Sequence, residues 1–320
     1  MSESQISNKQ RIMLEGGGFL RKIGENVHGV EGGDWFRGEN LNFFPQGINL
    51  AEENAVYDYF LKGYVPSEPF IRKSDYVTAF GSCFAQGVRE YLLNNGYMAY
   101  NPIGKRWVPI VSIAEGINTT FTLLQQFDWA WGNKSISEGL WVAKDKVRFS
   151  PTEEARQVTK EIFDNTTVFI LTLGLSEIWY DKVTNEVFWR GIPKDQYDPT
   201  RHAFRVSTVD ENLENLEKIY AYIRKHRPDA QIIVTLSPIP LIATFREVPC
   251  TAASMISKSI LRVAVDIFQQ KHKDDPKFWY WPSYELVKEL WNSYDDDKRH
   301  VTQATTNKVM AQFDRYFLVK

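Results

Sequence analysis

Apolar residues along this chain fall into short unbroken runs, at 77–80, 97–100, 167–173, 231–236 and 278–281. None alternates with polar residues, as expected of strands buried on both faces of a parallel sheet. Between them the pattern changes to helical spacing. In 212–226, Leu213, Leu216, Ile219, Tyr220 and Ile223 share one face, with a cap near Ser207 and Asp210 and a stop before Pro228. Residues 253–270 and 303–317 are further helices, and a helix from Gln86 through Leu92 stops at Gly96. Strands alternating with helices predict an α/β fold, a parallel sheet with helices on both faces.

The first 69 residues have another texture. Gly16, Gly17, Gly18, Gly24, Gly29, Gly32, Gly33 and Gly38 interrupt any long helix, so 1–69 is read as an irregular N-terminal extension packing on the core. Residues 54–61 allow a short helix. The core, 70–320, carries insertions at about 107–161, 180–205 and 242–252. The first is expected to be irregular, with a hairpin pairing Trp141 and Val142 with residues 147–149. All three emerge at or near carboxyl ends of strands, where specificity is normally built.

Chemistry concentrates at the end of the first core strand. Gly81-Ser82 stands between a strand and a helix, a turn where α/β proteins present a nucleophile to the helix's free N–H groups. A serine hydroxyl needs a histidine to take its proton and a carboxylate to fix that histidine's tautomer. Of five histidines, His226 and His272 stand in charged helix ends and read as solvated, His28 lies in the Gly-rich extension, and His202 belongs to a specificity loop. His300 has Asp297 three residues earlier, a spacing that brings both side chains together. The competing reading of Asp295-Asp296-Asp297-Lys298-Arg299 is a solvated charged loop. A divalent metal on Asp295, Asp297 and His300 lacks a second ligand cluster, so no metal is expected. Cys83, beside the serine, is a rival nucleophile if the helix start lowers its pKa. Adjacent residues in a turn point different ways, which favours Ser82.

Gly81-Ser82-Cys83-Phe84-Ala85 spells the signature of the GSCFA family, and the chain resembles that family and, more distantly, the SGNH (GDSL-like) hydrolases. Asn101-Pro102-Ile103-Gly104, Thr172-Leu173-Gly174, Thr235-Leu236-Ser237-Pro238, Lys258-Ser259 and the Asp297-x-x-His300 pair follow in family order. The resemblance implies a three-layer α/β/α sandwich with a mainly parallel five-stranded sheet in the order 2-1-3-4-5. It implies Ser82 as nucleophile, His300 as base and Asp297 as the orienting acid. Oxyanion donors would be the backbone N–H groups of Ser82 and Gly104. Where SGNH enzymes carry Gly-x-Asn-Asp, this chain has Gly174-Leu175-Ser176-Glu177, so the asparagine amide is missing and Ser176 stands in its register. Trp107, Glu177 and His202 are candidate substrate contacts.

Composition narrows the function. A net charge of −2 provides no field for nucleic acid, and no apolar run approaches a membrane span. Two cysteines and a polar start with no secretory core predict a cytoplasmic protein. The ten tryptophans are scattered and read mainly as packing, with Trp107, Trp129 and Trp131 the candidates for stacking on a sugar. The Gly16–Gly18 run lacks a phosphate-loop context, and Ser257-Lys258-Ser259 reads as a structural or rim element. Three functions remain: an esterase acting on a small-molecule or glycan ester without a cofactor, an O-acyltransferase drawing on acyl-CoA, and a non-catalytic binding module on the same fold.

Overall fold

The computed structural model describes residues 9–13, 19–23, 26–30, 42, 44–45, 47–97, 108, 110, 116–142, 148–189 and 191–320. The chain divides into two compact units, Met1–Tyr59 and Phe60–Lys320. In the first, β1 (Lys9–Met13), β2 (Phe19–Ile23) and β3 (Asn26–Val30) form an antiparallel sheet in sequential order. This corrects the expectation of an irregular extension. β1 precedes the glycines, β2 lies between Gly18 and Gly24, and β3 contains Gly29, while their mixed Arg, Lys, Gln and apolar residues carry no clear period in the sequence.

The second unit is built on β4 (Val77–Gly81), β5 (Val168–Leu173), β8 (Gln231–Leu236) and β9 (Phe278–Trp281), hydrogen-bonded in that order and all parallel. The described residues therefore hold four core strands rather than five. The remaining expected strand, at 97–100, lies outside them except for Tyr97. Strand side chains alternate between faces. Phe80, Leu171, Val234 and Tyr280 align across the sheet and enter one large apolar core. That core also takes Leu123 and Phe127 of α2 (Thr120–Ala130), Ile162 and Phe163 of α3 (Glu153–Asn165), Leu216 and Ile219 of α4 (Val209–His226), and Leu261 and Val265 of α5 (Cys250–Lys271). On the opposite face Trp281 meets Phe313 and Phe317 of α6 (Gln303–Phe317) edge to face, at 5.6 Å each. The helix α1 (Cys83–Asn94) lies beside α6. Helices cover both faces, giving the α/β/α layering of a mainly parallel sheet.

Local signals set the helix starts. Thr208 and Glu211 form a reciprocal capping box at α4, whose first turn is acidic and whose last turn carries Arg224, Lys225 and His226. Thr119 and Thr122 do the same at α2, and Thr302 caps α6. The insertion at 107–161 is not irregular throughout, since α2 and the start of α3 occupy much of it. Of its expected hairpin, Val142 bridges Arg148 and the Phe149 N–H donates to the Trp141 carbonyl at 2.9 Å, while 143–147 lie outside the described residues. The insertion at 180–205 is a ribbon of β6 (Glu177–Asp181) and β7 (His202–Val206). No helix among the described residues is long and apolar enough to cross a membrane.

Candidate active site

The Ser82 turn is fixed by the sheet. Gly81 has φ +137°, and a Cβ there would fall onto the Thr172 carbonyl of the neighbouring strand, so only glycine fits. Ser82, 6% exposed, then caps α1, its Oγ accepting from the Phe84 N–H at 3.3 Å. Its own N–H donates to the Thr172 carbonyl at 3.1 Å. That group, expected to be an oxyanion donor, is committed to the sheet edge here.

The Asp297–His300 segment is built differently. Tyr294 and Val301 bridge antiparallel, and the Asp295 N–H donates to the His300 carbonyl at 2.8 Å, closing a tight loop directly before α6. Asp297 Oδ1 accepts from the N–H groups of Arg299 and His300, each at 2.9 Å. Its Oδ2 lies 2.5 Å from His300 Nδ1. These bonds, the backbone donors first and the imidazole after them, hold the Asp297 carboxyl down at about 2. Asp297 and His300 are thus hydrogen-bonded to each other through Nδ1, which leaves Nε2 clear of the carboxylate. Both side chains are about half exposed, at 43% for Asp297 and 49% for His300. Among the described residues no group of three or more His, Cys, Asp or Glu, Asp295 included, is placed to hold a metal.

Ser82 opens into a cavity of about 370 Å³ at the carboxyl edge of the sheet. Arg299, the residue before His300, lines the same cavity, but no hydrogen bond joins Ser82 to His300 among the described residues. The walls include Trp179, Phe188, Trp189, Phe204 and Phe245, contributed by the β6–β7 ribbon and the loop after β8. A larger cavity of about 460 Å³ lies near Phe278, at the amino end of β9, away from this chemistry.

The other predicted residues separate. Glu177 lines the cavity, where burial pushes its carboxyl above the usual range against the pull of the Thr244 hydroxyl and Arg246. Ser176, expected to replace the missing asparagine, is fully buried, and its Oγ has no partner among the described residues and does not line the cavity. His202 accepts from the Asp198 N–H at 3.1 Å and lies against Phe188, serving the ribbon's own structure. Gly104 and Trp107 lie outside the described residues, as does the side chain of Cys83. Trp129 packs edge to face on Trp141, while Trp131 stacks on His226 at 4.6 Å, so both are core residues and His226 is not simply solvated. His272 pairs with Glu217 at 2.8 Å. The Ser-Lys-Ser run braces the turn after β5. Ser257 Oγ accepts from the Ser176 N–H at 2.8 Å, and Lys258 Nζ donates to the Gly174 carbonyl at 2.5 Å. Arg299 and Asn118, both on the cavity wall, were not singled out by the sequence reading.

The fold and site define an α/β protein with a serine turn and an Asp–His pair on loops at the carboxyl edge of a parallel sheet. The chain belongs to the GSCFA family, whose model matches residues 76–313. Among solved structures it is similar to a carbohydrate esterase family 3 protein from Talaromyces cellulolyticus, at 12% identity and TM-score 0.36, covering 75% of this chain and 95% of that one. It is also similar to a family 3 carbohydrate esterase of Clostridium thermocellum, at 13% identity and TM-score 0.34, covering 77% and 94%. No curated protein matches the chain.

Proposed function

We propose that this protein is a serine ester hydrolase that removes an acyl group from a glycan or a small hydroxylated metabolite. The observation that carries the reading is Ser82, held at a strand–turn–helix junction in a cavity that also takes Arg299, next in sequence to the Asp297-paired His300. In the first half-reaction Ser82 Oγ attacks the ester carbonyl carbon and His300 Nε2 takes the hydroxyl proton. The carbonyl electron pair moves onto oxygen. Collapse of that adduct expels the alcohol, which receives the proton from His300 and leaves an acyl-Ser82 ester. Water repeats the sequence and releases the acid. The aromatic wall and the buried Glu177 suit an alcohol portion with both an apolar face and hydroxyl groups, as a sugar ring has.

Intact-mass spectrometry after brief exposure to a fluorophosphonate tests the proposal, with Ser82→Ala and His300→Ala in parallel. A single adduct on the wild type, absent from Ser82→Ala and strongly slowed in His300→Ala, is expected. An unlabelled wild type would favour a binding module instead, and an adduct persisting in Ser82→Ala would move the nucleophile to Cys83. With an acyl ester as reagent, transfer of the acyl group to added sugars rather than to water would identify an acyltransferase.

A further inference from the structure

The proposed reaction needs donors for the oxyanion. Ser82 N–H is committed to Thr172, and the Ser176 hydroxyl, in the register of the missing asparagine, is sealed in the interior. Another asparagine stands on the cavity wall. Asn118 precedes α2 and lines the cavity together with Ser82 and Gly174. Its backbone carbonyl accepts from the N–H groups of Gly174 and Leu175, at 2.8 and 3.3 Å. Gly174 is small for that reason, because a Cβ there would come within 2.9 Å of the Asn118 carbonyl oxygen and 3.0 Å of its Cβ. The chain before α2 is thus clamped to the very turn from which the expected amide is missing.

The side chain of Asn118 is oriented as well. Its Oδ1 accepts from the Gly116 N–H at 3.2 Å, which assigns the other end of the amide as the NH₂ group. Nδ2 donates to nothing among the described residues, and the side chain is half-buried on the cavity wall. A half-buried donor with no partner, beside a nucleophilic serine, is what a developing negative charge would use.

Building on the serine-hydrolase reading, we infer that Asn118 Nδ2 is an oxyanion donor, supplied from the start of α2 in place of the absent asparagine after Gly174. As the carbonyl π pair moves onto oxygen under attack by Ser82, an N–H of Asn118 donates to that oxygen. The bond relaxes when the pair returns and the alcohol leaves, and no proton is transferred to the amide. Lys258 and Ser257 are positioning residues in this scheme, because they hold the Gly174–Ser176 turn against which Asn118 is clamped.

Two variants separate donation from architecture. Asn118→Ala keeps the backbone clamp and removes the donor. Asn118→Asp also keeps an acceptor for Gly116 while losing the donor. The rate of fluorophosphonate labelling and kcat for an activated acetyl ester are expected to fall about 100-fold in both variants, with KM changed less than about threefold. Wild-type labelling kinetics in either variant would overturn the inference alone. So would recovery in Asn118→Asp of a rate lost in Asn118→Ala, since that pattern belongs to a side chain needed only as the acceptor for Gly116. A wild type that never labels would overturn the serine-hydrolase reading and this inference with it.

Discussion

The two halves of the candidate site are held by different kinds of force. At the Ser82 turn, backbone geometry is imposed by the neighbouring strand. Gly81 rests against Thr172, Ser82 N–H bonds to the same residue, and the side chain is almost wholly buried. At the Asp297–His300 loop the geometry comes from within the segment. One carboxylate gathers two backbone N–H groups and an imidazole, while Lys298 takes a left-handed φ of 56° in an exposed turn. Ser82 thus inherits the rigidity of the sheet, and His300 depends on a few local bonds that solvent can compete for. The proposed serine-hydrolase mechanism is compatible with this division, because Oγ must meet an electrophile within narrow limits, whereas the histidine turns toward two partners in succession.

The most disruptive way to break this comparison is Gly81→Ala. The new methyl has no space beside Thr172, and φ +137° is closed to alanine, so strand β4 or its neighbour must move. A loss of at least about 3 kcal/mol in unfolding free energy is expected by urea denaturation. Little change would mean that the turn is not held by the sheet, and the rigidity assigned to the serine side would be wrong.

Next in size is Asp297→Asn, which should leave the fold standing and lower kcat by about 100- to 10,000-fold, because the imidazole loses its fixed tautomer. Its pH behaviour follows from the depressed carboxyl. A folded-state value of about 2 against an ordinary 3.8 means that the carboxylate contributes stability fully above about pH 4. That contribution is lost as the pH falls through about 2. The melting temperatures of the wild type and Asp297→Asn should therefore differ by a constant amount above about pH 5 and converge between about pH 4 and 2. Above that window Asp297 stays ionised.

Those same differences explain what could be read before the fold was known. The core strands were legible because burial on both faces leaves unbroken apolar runs, and α6 because Thr302 marks its start and an apolar face runs on to Phe317. The Asp297–His300 pair was legible because all its bonds lie within four residues. The cavity wall was not. Reading Ser176 in the register of a missing asparagine ignored the two-residue alternation entering β6, which sends Leu175 and Glu177 to the cavity and Ser176 to the interior. Asn118 reaches the site only through packing against Gly174, a long-range contact that no local pattern encodes. The nearest signal was its place directly before the Thr119–Thr122 cap. The strands of the first unit were missed because glycines were read only as breakers of helices, whereas a glycine also stands inside a strand, as Gly29 does in β3.

The smallest predicted effect tests the loop most directly. Lys298 is a branchless side chain in a left-handed conformation that costs an ordinary residue roughly 1 kcal/mol, and glycine adopts it freely. Lys298→Gly should therefore leave stability unchanged or raise it by up to about 1 kcal/mol, since relief of strain is partly offset by a freer unfolded chain. Three bonds to the Asp297 carboxylate survive the change, so kcat should fall less than about tenfold. A loss as large as that of Asp297→Asn would assign the geometry of the loop to the backbone at residue 298 rather than to the carboxylate. His300 would then be held by conformational restriction, as Ser82 is, and the contrast between the two halves of the site would disappear.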